Sequence, residues 1–422
     1  MKKILLKSAL LPAQDGARVV DILIVGNRFA RIGIVPPEES AGAEVVDCSR
    51  FAVFPAFYNG HTHAAMSLLR GYADDMPLQK WLLEYIWPFE AKLTGEDIDL
   101  ACRLAVLEMI KSGTVFFADM YWHRERTIKV VEEMGIRAAV GVTFAESLMS
   151  PEAIEKNFEF LSNHTGESER ISLTVAPHSV YTVGEKMLKR CADFAHAENF
   201  FVHTHLSETV KELEDCEKQY GCSPVRLLER TGMLDSKLAA AHCVHFSDDD
   251  MKAFVDSGAT AVLNPCSNLK LASGIPPIDR FLNADAKVAL GTDGDSSNNN
   301  LDMHEEMKLA ALLAKVQGGA EMLPAYDALK MATVNVARAY GLADVGEIRE
   351  GYLADCLLVD LKNERMVPSH NLVSNWVYAA DSSCIDSVIC NGKFVMRGRH
   401  VDGEEDIKKD AEACAKRLAS AT

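Results

Sequence analysis

No apolar stretch in this chain approaches the length of a membrane-spanning helix, lysine and arginine never gather into runs, and the cysteines follow no paired pattern. Each absence excludes something. The chain offers no spanning helix, and the opening Met1-Lys2-Lys3-Ile4-Leu5-Leu6 segment is broken by Lys7 before a signal-peptide core forms. A net charge of −17 without basic clusters gives nothing to meet a phosphate backbone, so the expected partner is a small molecule rather than nucleic acid or membrane. Eleven scattered cysteines fit reduced thiols better than a disulfide framework, and a cytoplasmic location is the expectation. What is present is ordinary for a folded protein with a large core: 422 residues, 48% hydrophobic and 25% charged.

Apolar, β-rich runs recur at 53–57, 114–120, 137–144, 171–177, 200–206, 238–243, 260–264 and 287–292. Helical periodicity fills most of the gaps, as in Gly95 to Lys111, Glu185 to Glu198 and Asp248 to Asp256. Eight alternations predict an α/β fold, a (β/α)8 TIM-type barrel over 56–345. The ends read differently. Residues 1–55 and 346–422 carry short strands, a hairpin around Asn391-Gly392 and a charged helix at 402–421. They predict one small β-sandwich domain formed by both chain termini.

Two His-Thr-His tripeptides, His61-Thr62-His63 and His203-Thr204-His205, follow or end apolar runs, and Gly291-Thr292-Asp293 closes a third. Strand residues two apart share a face, so each tripeptide can turn two imidazoles toward one ion. Three imidazoles and one carboxylate with room for water describe a catalytic site, suited to zinc or iron. A pair of core histidines directly after Asn59-Gly60 would be an expensive way to fill space. His203 and His205 share a face, and strand geometry does not choose between them. Asp293 has a second reading as a helix cap. The candidates fall at the carboxyl ends of the runs, the active face of such a barrel.

Asn59-Gly60-His61-Thr62-His63, Arg70-Gly71, His205-Leu206-Ser207-Glu208-Thr209, the stretch Asn264 to Gly274, Thr292-Asp293-Gly294 and Ser297-Asn298-Asn299 resemble the amidohydrolase superfamily. The likeness runs over nearly the whole chain and is to the branch of methylthioadenosine and S-adenosylhomocysteine deaminases. It implies one divalent metal, zinc first and iron(II) as the alternative, held by His61, His63, His205 and Asp293. It implies catalytic roles for Glu208, His242 and Asp293, and substrate contacts from Trp81, Glu90, His178 and Glu208. His203 is then a neighbour packed below the metal, and His245 is structural. Large enzymes of this kind are often homo-oligomers, which is expected here.

The chemistry follows in steps. A zinc-like ion lowers the pKa of bound water to roughly 7, Asp293 takes the water's proton, Glu208 protonates the ring nitrogen, and His242 steadies the developing charge. Two-metal members of the superfamily place a lysine after the fourth strand, but this run ends Ala176-Pro177-His178-Ser179. One metal is expected. The other zinc deaminase pattern, His-x-Glu with Pro-Cys-x-x-Cys, is only echoed in His196-Ala197-Glu198 and Pro265-Cys266, since Leu269 stands where the second cysteine belongs.

Residues 138–168 contain no arginine, and Arg137 lies at the deep end of its strand, so a homocysteine carboxylate lacks an obvious clamp. A shorter substrate, methylthioadenosine or adenosine, gains weight over S-adenosylhomocysteine. The alternatives are an aminohydrolase of guanine, a pterin, cytosine or a triazine using the same metal, and a non-catalytic metal-binding or ligand-binding barrel. A binding module has no need of Glu208 and His242 beside an open metal site.

Overall fold

Two eight-stranded sheets organise the chain. The computed structural model describes residues 2–14, 16–164 and 168–420. β1 (Lys3–Ala13), β2 (Gly16–Val25), β3 (Arg28–Gly33), β4 (Glu44–Asp47) and β5 (Phe51–Pro55) come from the start of the chain. The parallel strands follow: β6 (Phe57–Thr62), β7 (Thr114–Tyr121), β8 (Arg137–Phe144), β9 (Ile171–Pro177), β10 (Phe201–Leu206), β11 (Lys237–His242), β12 (Thr260–Leu263) and β13 (Lys287–Leu290). β14 (Cys356–Asp360), β15 (Ile385–Cys390) and β16 (Lys393–Met396) complete the first sheet from the far end, so both termini build one continuous unit. That unit encloses its own apolar core, with Ile4, Leu6, Ile22, Phe29, Val53, Cys356 and Ile389 all buried.

The barrel strands run in chain order, each beside the next, with helices between them. Most of their residues are buried on both faces, which is why they read as continuous apolar runs rather than alternating ones. The ring closes between β6 and the end of β13: Thr292 N and Asp293 N both donate to His61 O, at 3.1 and 3.0 Å. Asn59 Nδ2 donates to Thr292 Oγ1 at 2.7 Å across the same seam. Two glycines make this approach possible. A Cβ on Gly291 would stand 2.5 Å from His61 N, and one on Gly60 would stand 2.8 Å from Leu290 O.

Two sequence expectations need correction. The run 53–57 is not the first barrel strand: through Pro55 it belongs to β5, paired antiparallel with β14, and only Phe57 enters the barrel, after Ala56. The charged helix spans Glu404–Ser420, starting two residues later than expected, and Ala421 lies outside the described residues. That helix packs on Gly95–Lys111, where Lys111 Nζ donates to Glu404 Oε2 at 2.7 Å. Among the described residues no helix is long and apolar enough to cross a membrane.

Arg137 is committed elsewhere than the substrate end. It pairs with Asp355, just before β14, and its Nη2 donates to Asn391 Oδ1 at 2.8 Å. Asp355 also accepts from Tyr58 Oη and Asn391 N, each at 2.6 Å, so one buried carboxylate joins the barrel to the terminal sheet. Arg137→Met strands that charge, and a loss of about 3–5 kcal/mol in unfolding free energy is expected. Denaturant unfolding measures it, and a change under about 1 kcal/mol would mean the pair is dispensable.

Candidate active site

The expected ligands meet at the carboxyl end of the barrel. His61 comes from β6, His63 directly follows it, His205 comes from β10, and Asp293 follows β13. Asp293 Oδ1 lies 3.4 Å from His61 Nε2 and 3.3 Å from His63 Nε2, and the Nε2 atoms of His63 and His205 are 3.2 Å apart. Two nitrogens each about 2.0–2.1 Å from a single ion stand roughly that far from one another. His61 Nε2 is buried without a hydrogen-bond partner. A polar atom in that state signals a missing partner, so the donor set fits a divalent cation.

The surrounding protein aims these rings. His63 Nδ1 donates to Met120 O and His205 Nδ1 donates to His178 O, each at 2.6 Å, which leaves both Nε2 lone pairs facing inward. His203, from the same strand face as His205, sits apart from the cluster: its Nε2 bonds His61 Nδ1 at 2.8 Å. Burial lowers the pKa of His61 to about 4, so it is neutral near pH 7. Asp293 is opposed by burial, but His61, His242 and His63 around it outweigh that and hold it ionised. Its Oδ2 accepts from Ser267 Oγ at 2.6 Å and Ser297 Oγ at 2.7 Å.

Glu208 and His242 stand beside the cluster, 3.9 Å apart. Asn268 Nδ2 donates to His242 Nδ1 at 2.8 Å, so the proton of that ring sits on Nε2 and faces the site as a donor. Glu208 is pushed up to about 8 by burial and by the charge of Asp293. Its aim is set from behind. Glu212 accepts from Ser207 N at 2.9 Å and Glu208 N at 2.8 Å, while Ser273 Oγ donates to Glu208 Oε1 at 3.1 Å. Ser207, His242 and Asp293 all carry positive φ, 52°, 72° and 63°, an uncommon backbone state for such residues that gathers at this rim.

The cleft above is walled by Trp81, Glu90, Tyr121, Trp122, His178 and Tyr181 among others. Its lining includes the carboxylates Glu90, Glu208 and Asp293 but, among the described residues, no lysine or arginine. Trp81 ends the short helix Leu78–Trp81, and a wider π-type turn, Leu82–Ile86, leads to Glu90. Tyr121 Oη donates to Glu90 Oε1 at 2.6 Å, and burial pushes Glu90 up to about 7. Burial also lowers His178 to about 3. His245 donates to Ser273 O at 2.7 Å, away from the cluster.

Residues 52–395 match the amidohydrolase family. The chain belongs to it. This amidohydrolase is 42% identical over 435 residues to the 5-methylthioadenosine/S-adenosylhomocysteine deaminase of Pelotomaculum thermopropionicum, covering 100% of each chain. It is 45% identical over 378 residues to the 5'-deoxyadenosine deaminase of Methanospirillum hungatei, covering 88% of this chain and 84% of that one. Among solved structures it resembles an adenosine deaminase from Xanthomonas campestris with bound zinc, at a TM-score of 0.94, 30% identity and 99% coverage of both chains.

Several supporting residues of this amidohydrolase escaped sequence reasoning. Ser267, Asn268 and Ser273 lie in the quoted stretch Asn264 to Gly274, which carried a resemblance but no role; the structure puts them against Asp293, His242 and Glu208. Glu212 had a readable signal, the Thr209-x-x-Glu212 spacing that marks a helix start directly after Glu208.

Proposed function

We propose that this amidohydrolase is a mononuclear metal-dependent aminohydrolase of adenine nucleosides and thionucleosides, giving the inosine-type product and ammonia. The observation that carries the reading is an acid, Glu208, and an Nε2–H donor, His242, set beside a cluster fit for one cation. The names of the relatives support the substrate class. We assign the metal ligands as His61, His63, His205 and Asp293 and the ion as zinc, with iron(II) suited to the same donors.

A bound ion of this kind supplies Lewis acidity and brings the pKa of a water molecule near neutrality. Asp293 is placed to accept a proton from a water molecule whose oxygen adds to the carbon bearing the amino group. Glu208, protonated near neutral pH, donates to the adjacent ring nitrogen, without which addition would leave negative charge on the purine. His242 Nε2–H donates to the incoming oxygen. The proton on Asp293 leaves with the amine as ammonia, and the hydroxyl proton of the adduct returns to Glu208.

Trp81 stacks on the purine, His178 bonds a ring nitrogen and Glu90 accepts from the ribose hydroxyls. Among the described residues the lining holds no lysine or arginine to pair with a homocysteine carboxylate, so methylthioadenosine, 5'-deoxyadenosine and adenosine rank above S-adenosylhomocysteine. Ammonia release across those four nucleosides, guanine, cytosine and a pterin tests the order; activity confined to a free base or pterin would sink the nucleoside pocket.

Glu90→Ala is expected to lower kcat/KM for ribosides by about 10–150-fold, the worth of a hydrogen bond to a charged group. Because burial holds Glu90 near 7, its ionised form is lost as pH falls through that value. KM for adenosine therefore rises on the acid side, while KM for a 2',3'-dideoxy analogue stays flat. Equal acid limbs for both would remove Glu90 from the ribose.

A further inference from the structure

His203 is a buried imidazole that none of the proposed chemistry uses. Strands β6 and β10 are first and fifth in the barrel, and inward residues of such alternate strands share its interior layers. His61 and His203 therefore meet across the barrel, Nδ1 to Nε2 at 2.8 Å with their rings nearly perpendicular at 87°. The contrast with the other two histidines decides what this bond does. His63 and His205 each donate to a carbonyl oxygen, which only accepts, so their tautomers are fixed by the backbone. His61 bonds another imidazole, and either ring is able to donate.

We propose that His203 is the positioning residue that fixes His61 as a metal ligand, by accepting its Nδ1 proton and so turning the Nε2 lone pair to the cluster. This rests on the metal site proposed above. For His61 Nε2 to ligate, the Nδ1 proton needs an acceptor, and the bond that structure provides is to His203 Nε2. His203 then carries its own proton on Nδ1, an atom that is buried and without a hydrogen-bond partner. The nearby Tyr340 does not supply one, because its hydroxyl donates to Gly60 O at 2.6 Å while its ring meets His203 edge-on. A histidine kept only to fill space has no need to direct its one acceptor at a neighbouring ring. The acceptor on Nε2 is the part of His203 that the site requires.

The distinction can be read from metal affinity, independently of turnover. Zinc dissociation constants are measured by competition with a chromophoric chelator for the wild type, His203→Gln, whose amide oxygen still accepts, and His203→Leu, which fills the space without an acceptor. Leucine is expected to weaken zinc binding by about 10–100-fold and glutamine to remain within about threefold of the wild type. Equal affinity in all three, or equal loss in both variants, overturns the proposal in favour of packing alone. Long-range proton–nitrogen spectra of zinc-loaded, 15N-histidine wild-type protein decide the case even where a variant fails to fold. They should show His61 protonated at Nδ1 and His203 Nε2 bare, and a proton on His203 Nε2 overturns the assignment. A wild type that binds no zinc at all would instead defeat the metal site itself.

Discussion

Glu208→Gln is expected to lower kcat by about 10²–10⁴-fold, the usual contribution of a positioned general acid, while zinc affinity stays unchanged. The amide keeps the shape and still accepts from Ser273 Oγ, but it has no acidic proton to place on a ring nitrogen. Burial and the charge of Asp293 push Glu208 up to about 8, so its acid form prevails below that pH and is lost as pH rises through it. A bound cation draws that value down. The alkaline limb of kcat/KM is accordingly expected at or below about pH 8. The variant's residual rate should lack that limb. Retention of more than about a tenth of wild-type kcat would assign the proton transfer elsewhere.

Metal removal is expected to have an effect of similar size. Protein stripped with a chelator and desalted should lose turnover and regain it with zinc or iron(II), whereas Asp293→Asn should not be rescued by either. Because the proposed ligands are drawn from strands far apart in the chain, binding should also stabilise the native state. At a free ion concentration a hundred times the dissociation constant the gain is about 2.7 kcal/mol, and the melting midpoint should climb with added zinc. Unchanged activity after complete removal, verified by elemental analysis, would refute the metal mechanism.

Much of this site was legible because its chemistry sits at the ends of strands, where apolar runs, period-two spacing and histidine coincide. Seven of the eight barrel runs overlap their observed strands closely. The first did not, for a physical reason: β5 and β6 are both buried and separated only by Ala56, and hydrophobicity does not reveal which sheet a strand joins. His203 and His205 show a similar limit. Strand parity gives the face a side chain points to but not its depth in the barrel, and it is depth that sets His205 in the cluster and His203 behind His61. The segment carrying Trp81 and Glu90 was opaque in another way, since its π-type turn has no simple period to read. The supporting serines and Asn268 act through bonds made only after β12 and β13 are in place.

The seam that closes the barrel has a consequence for how the protein is made. His61, which joins β6 to Thr292 and Asp293, belongs to the first parallel strand, and Asp293 follows the last. On the ribosome His61 and His63 therefore wait through the synthesis of more than two hundred intervening residues before their carboxylate partner emerges. Every nascent chain that stops before Asp293 lacks both the closed ring and one of the four residues proposed to hold the ion. The emergence of Asp293 therefore sets the earliest point in synthesis at which this end of the barrel can be assembled.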